Sequence, residues 1–430
     1  MRRRSFLAAL VCLLAVPRLA GADPFFDQLR AARGDLARGN LAAAKVGLAA
    51  ADSAAFGLAS ATWSLAQVAA RERDAATALR HLEAYADMGL ARSVERDTNF
   101  AWMKDDPRLA AVTRRLLANM EPKSAAAVHV RLNDAGLLTE DIAYDPKTRT
   151  FYVSSIHRRK VLAVDADGAI RDFIAPAQGG VWGIYGLALD SAHERLWGSM
   201  AAGPNIENYD SADSGRTALV CWDLKTGREL LRAELPRDGG RHVFGDITLG
   251  PDGGVYATES IGGGLYRLPK DAKALETLAS SGTFASPQMA VFMEKGRELW
   301  ISDYPRGIVA FDLRTRAITS VPKPRSLATS GIDGLYIAPG RVVAVQNGTQ
   351  PIRVLSIDLD AAGRAMTGGT VLEQNSPELG EPNHGVVVGD DFYFLGNTGW
   401  DRVNAKEELE TPEDAKPPVI LRLMLPRGGR

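Results

Sequence analysis

Two patterns of hydrophobic and polar positions divide the chain. From about residue 23 to residue 121, alanine, leucine and arginine dominate, and apolar residues recur at helical spacing, as in Leu29, Ala32 and Leu36. From residue 128 onward, valine, isoleucine, tyrosine and tryptophan become frequent, and turn signals recur between short apolar runs. The pattern predicts a helical segment over 23–121 and a β-rich domain over 128–430.

The β-rich domain repeats one order of strands. Each unit has a short apolar strand, a turn, a second apolar strand and a third apolar run, and a weaker outer strand follows in most units. The six units begin near Asp141, Gly186, Asp246, Met289, Gly334 and Gly385. Six units of four short strands describe a six-bladed β-propeller. The predicted fold is therefore mainly β, preceded by a small α-helical domain.

The helical segment resembles tetratricopeptide-type helix pairs in residues 31–40 and 74–82. About two such units fit, which is fewer than a free-standing solenoid needs. Two interpretations stay open. The segment is either a partner-binding module or a helical cap that packs on the propeller. Residues 121–127 are predicted to be the linker.

The composition excludes several classes of protein. The chain has 430 residues, 46% hydrophobic and 24% charged, with a formal net charge of −1. That charge gives no electrostatic footprint for nucleic acid. Two cysteines, Cys12 and Cys221, are too few for a disulfide scaffold or a four-cysteine zinc site.

Residues 1–22 have the three parts of a cleaved export signal. They are basic at 2–4, apolar over 6–16, and end in the small residues 20–22. The apolar run is too short to span a bilayer, so no membrane span is expected, although a short anchor is an alternative. The stretch from Arg3 to Leu7 resembles the twin-arginine signature, and the general secretory route stays equally open. The predicted location is periplasmic or secreted.

Aligning the six units places equivalent residues in one ring, because propellers gather the first residues of their innermost strands around a central channel. Carboxylate and amide oxygens of this kind suit a hard cation such as Ca²⁺. Without a cation, carboxylates buried together would repel each other. Alternatively, these side chains only cap turns or accept hydrogen bonds from backbone amides. The ring contains Glu140 or Asp141, Tyr185 or Gly186, Gly245 or Asp246, Gln288, Asp333, and Asn383 or His384.

Residues 137–425 resemble the gluconolactonase, regucalcin and luciferin-regenerating enzyme family. The shared motifs are Glu140 in the first blade, Phe244-Gly245-Asp246, Ser286-Pro287-Gln288, Ile301-Ser302-Asp303-Tyr304 and Ile332-Asp333-Gly334-Leu335. The resemblance implies a divalent cation held by Glu140, Gln288 and Asp333, with Ca²⁺ expected and Zn²⁺ or Mn²⁺ as alternatives. It also implies that Asp333 acts as the base in lactone hydrolysis. Gln288 stands where the family has a metal-binding Asn.

The leading hypothesis is a metal-dependent hydrolase of a lactone or related ester. Its catalytic residues would be Asp333, Asp246 and His384, the last as a general base near neutral pH. Alternatively, His384 is a hydrogen-bonded turn residue. Side chains predicted to contact substrate are Asp141, Tyr185, Asn383 and Tyr304.

Two further readings of the whole protein remain open. Gly245 stands where the family has a substrate-binding Asn, and Gln288 is longer than the family's metal-binding Asn. These departures favour a non-catalytic propeller that binds a ligand or protein, with the helical segment as its adaptor. The third reading is a scaffold without a ligand.

Overall fold

The computed structural model describes residues 24–293 and 296–426, so the predicted export signal lies outside the described residues. The helices come first along the chain. They are α1 (Pro24–Arg38), α2 (Leu41–Ala54), α3 (Ala59–Arg71), α4 (Ala75–Asp87) and α5 (Pro107–Ala118). Side-chain caps start two of them, because Asp74 accepts from the N–H of Thr77 and Asp106 from that of Arg108. Within the described residues, no helix is long and apolar enough to cross a membrane.

The helices pack as antiparallel neighbours around an apolar core. Helices α1 and α2 contact each other closely, and so do α3 and α4. Trp63 of α3 is buried at the centre, edge-on to Tyr85 at 5.1 Å and to Phe100 at 5.7 Å between ring centroids. The helical spacing in the sequence therefore predicts these pairs correctly.

Within the described residues, twenty-four strands form six four-stranded antiparallel sheets, which confirms the six-bladed propeller. Blade 1 has β2 (Thr139–Asp145), β3 (Thr150–Ser155), β4 (Lys160–Val164) and β5 (Ile170–Ile174). Blade 2 has β6 (Gly183–Asp190), β7 (Arg195–Ala201), β8 (Thr217–Asp223) and β9 (Glu229–Glu234). Blade 3 has β10 (Phe244–Leu249), β11 (Val255–Glu259), β12 (Gly264–Leu268) and β13 (Glu276–Ala279).

The remaining blades follow the same order. Blade 4 has β14 (Pro287–Phe292), β15 (Glu298–Asp303), β16 (Gly307–Asp312) and β17 (Ile318–Ser320). Blade 5 has β18 (Ile332–Ala338), β19 (Arg341–Gln346), β20 (Arg353–Leu359) and β21 (Met366–Gln374). Blade 6 has β22 (Gly385–Val388), β23 (Asp391–Gly396), β24 (Val419–Met424) and β1 (Ala127–Arg131).

Blade 6 closes the ring with a strand from the other end of the domain. Strand β1 pairs antiparallel with β24, so that Ala127 faces Arg422 and Arg131 faces Val419. The sequence pattern does not identify this pairing, because it is non-local. The predicted linker is also held in place. The N–H groups of Ala125 and Ala126 donate to the Glu373 carboxylate at 2.6 and 2.8 Å.

The helical segment packs on the propeller beside blades 4 and 5, as the cap interpretation predicts. Ala328, in the loop before β18, is buried in the apolar core of α3 to α5. Arg306 lies over the ring of Phe25 at 4.5 Å. Gly57, with φ +100°, approaches the backbone of Arg325 so closely that a Cβ would lie 3.0 Å from the Arg325 carbonyl oxygen. A further partner for this segment stays a prediction.

Candidate functional site

A β-bulge at the ring position marks the inner strand of five blades. The pairing register between the first and second strands of each blade shifts at this point, so two inner-strand residues oppose a single partner. The residues within the shifts are 140–141, 185–186, 245–246, 288–289 and 333–334. A bulge re-aims side chains next to a site. Five of the six ring positions inferred by aligning the repeats are therefore bulges, and the sixth, residues 383–384, directly precedes β22.

In blades 1 to 4, the residue opposite the bulge carries a hydroxyl group. In blades 1 to 3, this group forms a hydrogen bond with the backbone of the bulge. Ser154 accepts from the N–H of Asp141, and Ser199 from that of Gly186, both at 2.8 Å. Thr258 of blade 3 donates to the carbonyl of Asp246, whereas Ser302 of blade 4 donates to the carbonyl of Ile332, the first residue of β18 in blade 5. Valine occupies the equivalent position in blade 5. Four short hydroxyl side chains thus fix the backbone at the mouth.

Two hydrogen bonds from residues of blade 6 and its connections orient Glu140. Its Oε2 accepts one hydrogen bond from Asn383 Nδ2 at 2.6 Å and another from Nε1 of Trp400. Trp400 lies in the long connection between β23 and β24. Asn383, predicted as a substrate contact, therefore uses its amide nitrogen to orient Glu140.

A hydrogen bond from Asn347, a residue of the same blade, orients Asp333. Nδ2 of Asn347 donates to Asp333 Oδ2 at 2.6 Å and to the carbonyl of Pro382 at 3.0 Å. Oδ1 of Asn347 accepts from the Tyr304 hydroxyl at 2.8 Å. Tyr304, another predicted substrate contact, therefore belongs to the network around Asp333. Sequence reasoning missed Asn347, although its place directly after the second strand of blade 5 is a signal that strand alignment could supply.

His384 bridges two carboxylates inside the channel. Its Nε2 lies 3.2 Å from Asp246 Oδ1 and 3.7 Å from Asp333 Oδ1. Its Nδ1 lies 3.0 Å from the Tyr336 hydroxyl, which accepts from the N–H of Gly385. His384 and Asp246 are both buried. Two opposite blades, 3 and 6, thus place a cation and an anion in contact across the channel.

The buried acids perturb one another. Burial, reinforced by Asp333, raises the pKa of Glu140 to about 8. Burial raises the pKa of Asp246 to about 7, although His384 opposes the shift. Burial alone would lower the pKa of His384, but Asp246 and Asp333 raise it well above its ordinary value. Asp246 and Asp333 thus favour the charged form of the imidazole, whereas a general base needs the neutral form; the general-base role of His384 stays a prediction.

Gln288 and Gly245 adjoin each other on the blade 3 and blade 4 side of the mouth. Gln288 Nε2 donates to the Ser286 hydroxyl at 2.9 Å, which leaves Oε1 as the acceptor end. A Cβ on Gly245 would lie 3.9 Å from that Oε1 and 3.1 Å from Ser260 Oγ. The longer amide of Gln288 therefore borders the position where the family has a substrate-binding Asn.

Two predicted substrate contacts, Asp141 and Tyr185, have hydrogen-bond partners within the protein, and their contact with substrate stays a prediction. Both oxygens of Asp141 accept backbone hydrogen bonds, at 2.7 Å each, from the N–H groups of Ile142 and Leu187. Asp141 therefore ties blade 1 to blade 2 rather than offering a free carboxylate. The buried Tyr185 hydroxyl accepts from Asn205 Nδ2 at 3.0 Å. These contacts fix both side chains in the wall of the channel.

The donors suit a divalent cation in charge and chemistry. Both oxygens of Asp246 and Nε2 of His384 are buried without a hydrogen-bond partner, which is costly for polar atoms. In the part of the chain that the structure describes, no three His, Cys, Asp or Glu side chains have the spacing of a preformed metal site. The implied set of Glu140, Gln288 and Asp333 contains only two carboxylates, so it does not require such a cluster. Oxygen donors of this type fit Ca²⁺.

Several solved structures are similar to this chain. A gluconolactonase from Xanthomonas campestris shares 17% identity and a TM-score of 0.46, covering 71% of this chain and 92% of its own. A calcium-binding protein, regucalcin, from Agrobacterium tumefaciens shares 16% identity at a TM-score of 0.46, covering 69% and 93%. A PQQ-bound aldose sugar dehydrogenase from Streptomyces coelicolor shares 16% identity at a TM-score of 0.46, covering 70% and 99%.

These likenesses describe the fold alone. The similar structures include the gluconolactonase and regucalcin types that the sequence motifs indicate. No protein-family model and no curated protein sequence matches the chain. The chemistry of the site therefore has to be argued from its own residues.

Proposed function

We propose that the protein is a metal-dependent hydrolase that opens a lactone or related ester at the mouth of the propeller channel. One observation supports this most directly. Glu140, Asp246 and Asp333, which are far apart in sequence, belong to one buried electrostatic network with a single histidine. A cluster of buried acids in which the pKa values of Glu140 and Asp246 are raised is typical of a functional site rather than of packing.

The residues divide into distinct tasks in this proposal. Glu140, Gln288 and Asp333 would hold the cation, which when bound would polarise the ester carbonyl. Asp333 would accept a proton from water at Oδ1, the oxygen that faces His384, since Oδ2 is bonded to Asn347. His384 would lie between Asp246 and Asp333, and its positive charge would favour the ionised form of Asp246. Asp246 would assist as the counter-ion of His384.

The aromatic and amide side chains at the mouth would orient the substrate. Tyr304 and Asn383 each have one polar group committed to the network, to Asn347 and Glu140 respectively. Both residues therefore stand in fixed positions beside the proposed cation ligands. A rigid arrangement of this kind favours catalysis, because positioning is established before the substrate arrives.

The experiment compares metal content and hydrolysis of a lactone and ester panel in the wild type and in Asp333→Ala. We expect Asp333→Ala to lose both the cation and turnover. Asp391→Asn is the matched control, because this carboxylate lies on β23 and pairs with Arg422 at the surface. Equal metal occupancy in wild type and Asp333→Ala would contradict the assignment.

A second candidate is a non-catalytic propeller that binds a small ligand or protein. Gln288 supports it, because the amide of this residue is tied to Ser286 and Gly245 beside it has no side chain. This candidate predicts a bound cation without turnover on any member of the panel. The hydrolase predicts turnover that disappears when the cation is removed by a chelator.

Export is a separate part of the proposal and rests on residues 1–22 of the sequence. We propose that the mature protein begins at Asp23 in the periplasm. N-terminal sequencing of the protein from a periplasmic fraction tests this. A chain that keeps Met1 in the cytoplasm would contradict it.

A further inference from the structure

Two cations of the propeller occupy the C-terminal ends of helices in the helical segment. Lys323 Nζ donates to the carbonyls of Phe56 and Gly57, just after α2, at 2.9 and 2.8 Å. Arg353 donates to the carbonyls of Met88 and Gly89, just after α4, at 3.2 and 3.0 Å. The last carbonyls of a helix carry partial negative charge, so cations are favourable there. The helical segment is therefore docked by the ends of α2 and α4.

Arg353 depends on this docking more than an ordinary arginine would. Its side chain is buried, and its hydrogen-bond partners are neutral: two helix-end carbonyls and the Gln346 amide oxygen. A buried charge needs partners in place of water. Two of these three partners come from the helical segment, so Arg353 can hold its position only while that segment is docked.

Gln346 connects Arg353 to the loop that leads into the inner strand of blade 5. Its Oε1 accepts from Arg353 Nε at 2.6 Å. Its Nε2 donates to the carbonyls of Ala328 and Ser330 at 3.0 and 2.7 Å. Strand β18 begins two residues after Ser330, and Asp333 is its second residue. Gln346 therefore fixes the approach to Asp333.

The residue after Gln346 completes the connection. Asn347 donates to Asp333 Oδ2 at 2.6 Å, so its side-chain amide sets the orientation of that carboxylate. Asn347 lies in the loop between β19 and β20. The helical segment also contacts this loop directly, because the N–H of Ala91 donates to the Gln350 carbonyl at 2.7 Å. Two sets of hydrogen bonds, joined by the peptide bond between Gln346 and Asn347, thus connect the end of α4 to the proposed cation ligand.

We propose that the helical segment is a positioning element of the channel site: Arg353, held by the end of α4, fixes Gln346 and through it Asn347, which orients Asp333. Arg353, Gln346 and Asn347 are positioning residues, since none of them is required to touch the substrate. The affinity and activity readouts of this proposal rest on the proposed function. Its structural readout does not.

Two variants at the same interface separate positioning from docking. Arg353→Met removes the charge at the end of α4 and keeps an unbranched apolar side chain. Lys323→Met does the same at the end of α2, but in the described part of the chain the Lys323 ammonium donates hydrogen bonds only to the carbonyls of Phe56 and Gly57. Lys323→Met is therefore the matched control. Gln346→Met removes the hydrogen bond between Arg353 and Gln346 but leaves the residues of the helical segment unchanged. This variant replaces Arg353→Met in the experiment if Arg353→Met does not fold.

Hydrogen exchange of the full-length protein gives the structural readout. We expect faster exchange in the backbone of residues 346–350 in Arg353→Met and Gln346→Met, with wild-type exchange there in Lys323→Met. Calcium titration gives the second readout. We expect affinity to fall about tenfold in Arg353→Met and Gln346→Met, because loss of an outer partner of a metal ligand typically has this effect. Lys323→Met should stay close to wild type.

Each outcome decides between the proposals. Equal exchange over 346–350 in all four proteins, or an equal increase in Lys323→Met, would overturn the positioning role. If wild type binds no Ca²⁺ and hydrolyses nothing, the proposed function fails, while selective exchange in Arg353→Met and Gln346→Met would still support positioning. If kcat falls in Arg353→Met with KM unchanged, the effect lies at the reacting groups rather than in substrate binding.

Discussion

His384 Nε2 lies 3.2 Å from Asp246 Oδ1, and this contact joins the inner strands of blades 6 and 3 across the channel. Asp333 Oδ1 approaches the same nitrogen at 3.7 Å. One imidazolium therefore faces two carboxylates, of which Asp246 is buried and Asp333 is 12% exposed. The arrangement resembles a buried ion pair, in which each partner is tolerated only because of the other.

The first prediction concerns this pair. We expect His384→Leu to lower the free energy of unfolding by about 3–5 kcal/mol, because it leaves Asp246 buried without a counter-ion. The double variant His384→Leu with Asp246→Leu should lose less than the single variant, since it leaves no isolated charge at that contact. Urea unfolding at neutral pH measures both. A double variant that is less stable than His384→Leu would contradict the ion pair.

The second prediction concerns pH and Ca²⁺. Because the pKa of Glu140 is raised to about 8 and that of Asp246 to about 7, the folded protein binds more protons than the unfolded chain at intermediate pH. Without a cation, stability should therefore fall as pH rises from about 4 to about 8. Calcium competes with these protons, so it should raise the melting temperature more at about pH 8 than at about pH 5.

Differential scanning calorimetry with Ca²⁺ and with a chelator measures this difference. Glu140→Gln is the control variant, because it removes one titrating group and one anionic donor together. Its calcium-dependent shift should be small at both pH values. A wild-type shift that is the same at low and high pH would show that Ca²⁺ does not compete with protons at this site.

The third prediction concerns the hydrogen bond from Trp400 to Glu140. Trp400→Phe keeps an aromatic ring and removes the Nε1–H donor, so Glu140 keeps only the hydrogen bond from Asn383 to Oε2. We expect calcium affinity to fall about tenfold, because a less well oriented ligand binds more weakly. Isothermal titration measures the affinity.

A second tryptophan supplies the control for that experiment. Trp182 Nε1 donates to Asp213 Oδ2 at 3.2 Å, and Arg216 lies over its ring. Trp182→Phe therefore removes an indole N–H that has no contact with Glu140. If both variants weakened calcium binding equally, the effect would come from general loosening of the propeller rather than from Glu140.

The fourth prediction concerns Asp141. Asp141→Asn keeps the shape of the side chain but replaces one acceptor oxygen with an amide nitrogen, which faces a backbone N–H. We expect the free energy of unfolding to fall by about 1–3 kcal/mol, because a buried N–H loses its acceptor. Calcium affinity should stay near the wild-type value. If calcium affinity fell strongly while the free energy of unfolding stayed unchanged, Asp141 would be a ligand-binding residue rather than a structural one.

The sequence predicts the propeller well because each blade is a local unit. The strand, turn and strand around Asp246 or Asp333 lie within a short stretch of chain, so their periodicity is visible without knowledge of the rest. The ring follows from the same repetition, since equivalent positions in equivalent units must meet at the channel. Glu140, Asp246 and Asp333 are found in this way.

The details that decide the chemistry are less accessible, because they depend on which loops meet after the ring has closed. Asn347 and Trp400 lie outside the inner strands, and no repeat places either beside a carboxylate. The charge of His384 depends on Asp246 from the opposite blade. The docking of Arg353 on α4 joins two segments whose sequence patterns are unrelated.

The pairing of β1 with β24 has a consequence for when the propeller can fold during its synthesis. Strand β1 is synthesised before the other described strands, whereas its partner β24 is synthesised after all of them. A chain that terminates before Val419 leaves the sixth blade without its third strand, and that blade also supplies Asn383 and His384. The sixth blade can therefore form only after β24 has been synthesised, and chains truncated before Val419 cannot carry a finished channel.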